Sequence, residues 1–144
     1  MEFLIILVVI SFLIGTISFA LPSKSSREIS ELRMNASKMG FKISPSNIGQ
    51  NSFKNKDVNL MIYSIKNETN LKEAHFIRDK DELILYSPLK LKYSDGYDEI
   101  KSKLNSLSPH VIEIMISSSF IAFIWREKAG IDELEKILNL LKIF

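Results

Sequence analysis

The sequence predicts an α+β fold: an N-terminal transmembrane helix, an amphipathic juxtamembrane helix, then a small antiparallel or mixed sheet with two helices. Three features carry that expectation. The chain opens on a long apolar run without charge. Two later segments repeat apolar residues at helical spacing, and short β-rich runs between turn residues fill the space between them. The boundaries that follow are a transmembrane anchor over 1–23, a juxtamembrane helix over 24–40 and a soluble α+β domain over 41–144.

Phe3 to Leu21 spans 19 residues, of which 14 are Leu, Ile, Val or Phe. A helix of that length rises about 28 Å, close to the hydrocarbon thickness. The large apolar residues, Phe3, Leu7, Ile10, Ile14 and Leu21 among them, favour insertion by about 4–8 kcal/mol. Ser11, Gly15, Thr16 and Ser18 reduce this without reversing it, and Pro22 marks the exit from the helix. Ser18-Phe19-Ala20 has the small-x-small form of a signal cleavage site, so an exported soluble protein is the rival reading. Against it, the segment before the run carries Glu2 and neither Lys nor Arg, whereas Lys24 and Arg27 follow the run. The positive-inside rule then keeps the folded part in the cytoplasm, with the span in the inner membrane.

Residues 25–40 carry Ile29, Leu32, Ala36 and Met39 on one helical stripe. Ser25 and Glu28 have capping-box spacing, and Gly40 suits the position just past the helix end. Packing on the domain is the plain reading of this stripe. A surface helix touching anionic lipid through Lys24, Arg27, Arg33, Lys38 and Lys42 is the sharper one, opposed by Glu28 and Glu31.

Beyond it, Phe41-Lys42-Ile43 begins a short strand, 45–55 reads as a loop, and 57–66 contains a strand. Asn67 to Asn70 is a turn that is formally a glycosylation sequon. Leu71–Ile77 and Glu82–Tyr86 flank a polar turn as a hairpin. Leu89 to Tyr93 alternates as a half-buried strand does. A short helix over 97–107, capped by Ser94 or Asp95, ends before Pro109. The apolar stretch 111–125 is too short and too interrupted for a second span. It reads as two strands joined by Ser117-Ser118-Ser119, the second of them central and covered on both faces. After Lys128-Ala129-Gly130 comes a last helix over 131–143, with Asp132 and Glu133 in its first turn and Lys142 in its last, which complements the helix dipole.

Composition narrows the chemistry. The 144 residues include no cysteine, which excludes disulfides and thiolate metal sites. Nineteen basic against 17 acidic residues give +2, without the basic excess of a nucleic-acid binder. The five glycines are isolated, so no phosphate-cradling loop is present. His75 and His110 lack a second histidine at metal spacing, and the serine cluster lacks the glycines of a nucleophile elbow. Asp79, Asp81 and Glu82 lack the spacing of a calcium loop. Neither a cofactor nor a catalytic set is expected. Trp125 stands either as a binding platform or as a residue that closes the core, and Arg126 and Glu127 as partners for neighbours.

The apolar N-terminus, Leu32-Arg33 with Ala36 and Gly40-Phe41, and Trp125-Arg126-Glu127-Lys128-Ala129-Gly130 ahead of an acidic-start helix together resemble a family of uncharacterised single-span inner-membrane proteins of gram-negative bacteria. The resemblance covers both ends of the chain and implies architecture, with no activity to carry over. In topology alone the chain is also similar to the small auxiliary subunit of the bacterial preprotein translocase, whose basic stretch after the span and strand pattern it lacks.

The function expected is therefore a non-enzymatic, membrane-tethered interaction or accessory module, with the lipid bilayer and a membrane protein as partners and no nucleic acid. An enzyme would instead gather Glu127, His75 or Asp95 in one deep pocket.

Overall fold

A computed structural model describes residues 1–45 and 60–142. Its element order is α1 (Glu2–Ala20), α2 (Lys24–Lys38), β1 (Lys42–Pro45), β2 (Met61–Lys66), β3 (Ala74–Asp79), β4 (Glu82–Ser87), α3 (Tyr97–Asn105), β5 (Val111–Ile116), β6 (Phe120–Trp125) and α4 (Ile131–Leu141). The six strands form one antiparallel sheet in the order β1-β2-β6-β5-β3-β4. The expected loop over 45–55 and the first part of the expected 57–66 strand lie mostly outside the described residues.

Helix α1 is apolar throughout, with no residue buried in the protein. It is long and apolar enough to cross a membrane, as an anchor or a signal sequence would be. Its Ser11, Thr16 and Ser18 hydroxyls donate to backbone carbonyls one turn back, so none leaves a donor unpaired.

The expected capping box at Ser25 is corrected: Ser23 is the cap, its Oγ accepting from the Ser26 N–H at 3.2 Å, and α2 begins at Lys24. Leu32 and Ala36 of α2 are buried, so the helix packs on the domain. Gly40 follows it at φ +95°, a conformation that L side chains rarely adopt.

One face of the sheet is the core face. Tyr63, Phe76, Leu83, Leu85, Val111, Ile114, Phe123 and Trp125 pack there with Leu32, Leu104, Leu134, Ile137 and Leu141 of the helices. The register shifts between Val111 and Glu113, and this bulge lets both Val111 and Ile114 face the core despite the odd spacing. Strand β6 is central, as expected; among the described residues the helices pack on one of its faces, while on the other Ala122 is 3% exposed and Ile124 half-buried. Ile62, Ile124, Met115, Ile77, Ile84 and Tyr86 alternate onto the opposite face, and none belongs to the core cluster.

Leu89–Tyr93 is a 3-10 helix and not a strand. Pro88 leads into it, and the Leu91 and Ser94 amides bond back to Pro88 and Leu91 carbonyls. Leu91 packs against the core while Leu89 is exposed, so strict alternation marks only one inward residue. The expected Ser94 or Asp95 cap on α3 is also corrected, since Gly96 occupies that position without a side-chain cap. The β3–β4 turn is tighter than the four-residue turn expected, with Arg78 and Asp79 inside β3 and Lys80 at φ 55°.

Candidate functional site

The 3-10 turn Glu127–Ala129 after β6 places Glu127 beneath α2. Arg33 reaches it with both ends of its fork. Nε donates to Oε1 at 2.8 Å and Nη2 to Oε2 at 2.7 Å. The Tyr63 hydroxyl donates to Oε1 at 2.7 Å. Glu127's side chain is 6% exposed and Arg33's 42%. Such bidentate, charge-assisted contact offsets the desolvation of a buried carboxylate. The hydrogen bond to Glu127 raises the Arg33 pKa. Burial, then the hydrogen bond to Glu127, pushes the Tyr63 hydroxyl well above the usual tyrosine value of 10.0.

Below Tyr63 lies an aromatic stack. Its ring centroid is 5.5 Å from Trp125's at an interplanar angle of 81°, and 6.0 Å from Phe41's. Trp125 is fully buried, so it closes the core and does not form a contact platform. A groove of about 370 Å³ runs beside this cluster between α2 and the start of α4, lined by Ile29, Leu32, Glu127 and Ile131 with Glu28 and Glu31.

The other residues considered for lipid contact divide. Lys24, Arg27 and Lys38 are exposed on α2, with Lys24 3.9 Å from Glu28. Arg33 is committed to Glu127 and is not a free surface cation. Phe3, Leu7, Ile10, Ile14 and Leu21 are all exposed along or just beyond α1.

Of Glu127, His75 and Asp95, Glu127 lines the groove between α2 and α4 and the other two lie elsewhere. Glu127 lies on the helix side of the sheet, His75 alternates onto the opposite face, and Asp95 is exposed ahead of α3. His75 Nε2 instead lies 2.6 Å from Oε1 of Glu113, which is 7% exposed. The Tyr86 ring stands edge-on to His75 at 5.2 Å. The strand register makes this pair; in the sequence Glu113 reads only as an interruption of an apolar run, because 38 positions separate it from His75.

Two further polar residues hold loops. Arg78 donates from Nε to the Val111 carbonyl at 2.5 Å and from Nη2 to the Ser108 carbonyl at 3.0 Å, and burial lowers its pKa. Asn67 Nδ2, the sequon nitrogen, donates to the Leu71 and Ser117 carbonyls at 2.8 and 2.7 Å. Both its protons are thus engaged in joining two turns. Among the described residues no group of three His, Cys, Asp or Glu side chains is placed to hold a metal ion. Among the described residues, the buried Trp125 Nε1 and His110 Nδ1 find no hydrogen-bond partner.

No family model, curated protein or solved structure matches the chain.

Proposed function

We propose that this chain is a bitopic membrane protein whose folded part serves as a non-enzymatic interaction or accessory module close to the bilayer. The observation that supports it most is the way α1 is joined to the rest. Only Leu21, Pro22 and Ser23 separate it from α2, and the Arg33–Glu127 pair secures α2 to the turn after the central strand. A span in α1 therefore holds the domain at short reach from the lipid. Tethering of this kind raises the effective concentration of a surface toward other membrane proteins. Lys24 and Arg27 follow the span, which favours a cytoplasmic domain and contact with anionic lipid. The partner class is a membrane protein, supported by this placement.

Crosslinking in intact membranes followed by recovery of the full-length chain tests the reading. The expected result is retention in the membrane after alkaline carbonate washing and a partner in stoichiometric amount. Release of the full-length chain by carbonate, or mature chains beginning at Leu21, would give the exported reading instead.

A further inference from the structure

The sheet face away from the helices is mostly apolar, interrupted by Ser64 and the His75–Glu113 pair, and charged at two corners. Ile62, Ala122, Ile124, Met115, Ile77, Ile84 and Tyr86 alternate onto it. Ile84 is 48% and Tyr86 54% exposed. These side chains lie outside the core cluster. Polar residues on an outward sheet face are the ordinary pattern, and a largely apolar one marks a contact surface.

The charges are not scattered. Lys66 pairs with Phe120 at the start of β6, and Lys42 pairs with Ser64 on the adjacent edge strand. Asp79 and Glu82 are register partners at the far end of β3 and β4, and Glu82, 3.9 Å from Lys101 of α3, keeps 61% of its side chain exposed. Lysines and carboxylates thus occupy diagonally opposite corners of one face. Glu113 and His75, nearer the middle, satisfy each other. Arg126 lies just past the end of β6, off both corners.

We infer that this face packs against the same face of a second copy of the chain. A twofold axis lying in the interface along the other diagonal sets each lysine corner over the partner's carboxylate corner. It also crosses the two sheets at close to a right angle, one of the two ways in which sheets stack. The axis runs past Met115, which then meets Met115 of the second copy. Six strands spaced about 4.8 Å apart and about 20 Å long present roughly 500 Å² a side. Doubling this gives about 1,000 Å², the least area expected of a biological interface. The inference stands on the sheet alone and does not need α1 to span a membrane.

The test uses the full-length chain in detergent, where its result is separate from the question of compartment. The absence of native cysteine makes single-cysteine probes clean. Met115→Cys should give a crosslinked dimer with a short bis-maleimide, whereas Ser102→Cys on the exposed side of α3 should not. Lys66→Glu should lower the dimer yield about fivefold, and adding Glu82→Lys should restore it. Circular dichroism checks that each variant is folded. A monomeric Met115→Cys chain, equal crosslinking at Ser102→Cys, or a charge reversal without effect would overturn the proposal.

Discussion

Arg33 and Glu127 are 94 positions apart and meet through two hydrogen bonds of 2.8 and 2.7 Å. One belongs to the helix that follows the apolar run, the other to the turn that ends the central strand. Their pairing closes the fold on itself from both ends of the chain. Replacing Arg33 by Met leaves a buried carboxylate held by Tyr63 alone. Loss of one partner in a fully buried pair costs about 3–5 kcal/mol, and the half-open Arg33 reduces this to about 2 kcal/mol. Urea denaturation of Arg33→Met, Glu127→Met and the double variant should show the double costing less than the sum.

Tyr63 supplies a pH signature. Its hydroxyl titrates higher in the folded chain than the ordinary value of 10.0. Above that value the unfolded chain loses a proton that the folded chain keeps, so stability falls as pH rises. This contribution is intact below pH 10 and is lost progressively toward the raised folded value. In Tyr63→Phe the alkaline decline should flatten, at a cost near neutrality of about 1–3 kcal/mol for the lost hydrogen bond to a charged acceptor. Denaturation midpoints between pH 7 and 11 check both statements.

Gly130 sits between the Glu127 turn and α4 at φ +83° and ψ −178°. A Cβ there would meet no atom within 4 Å, so the obstacle is conformational and not steric crowding by neighbours. Gly130→Ala should therefore destabilise by about 1–3 kcal/mol. Gly15→Ala, in the middle of α1 at an ordinary helical φ, should leave denaturation of the folded domain unchanged.

Leu134 is fully buried beneath the sheet. Its truncation to Ala removes methyl groups from a closed core and should cost about 2–5 kcal/mol, read by thermal or chemical denaturation. Leu13→Lys, in contrast, places a charge in the middle of α1. It should leave domain stability unchanged and loosen membrane retention, since a central lysine disfavours insertion by about 3 kcal/mol. Carbonate extraction separates the two variants.

Much of the architecture is legible in local pattern. The 19-residue apolar run, the stripe at Leu32 and Ala36 and the paired strands around Ser117–Ser119 each declare themselves within a few turns of chain. Hydrophobic spacing is a local property, and it decides which residues turn inward in each element. The Leu89–Tyr93 segment shows where this ends. Its alternation suits a strand, yet the chain leaves the sheet at Pro88 and winds into a 3-10 helix with one leucine inward.

What the linear order could not contain is which distant residues become neighbours. Leu32-Arg33, Gly40-Phe41 and the Trp125–Gly130 block were separate motifs in the sequence. Folding makes them one cluster, with Arg33 on Glu127 and Phe41 and Trp125 against Tyr63. The same holds for His75 and Glu113, joined by antiparallel register. A buried charge survives only with a partner in three dimensions, and strand order and helix placement choose that partner. Composition and periodicity determined most of the elements and the apolar leader; only the tertiary structure decided that Trp125 lies inside, that Arg33 is engaged, and that one face of the sheet is largely apolar outside the core cluster.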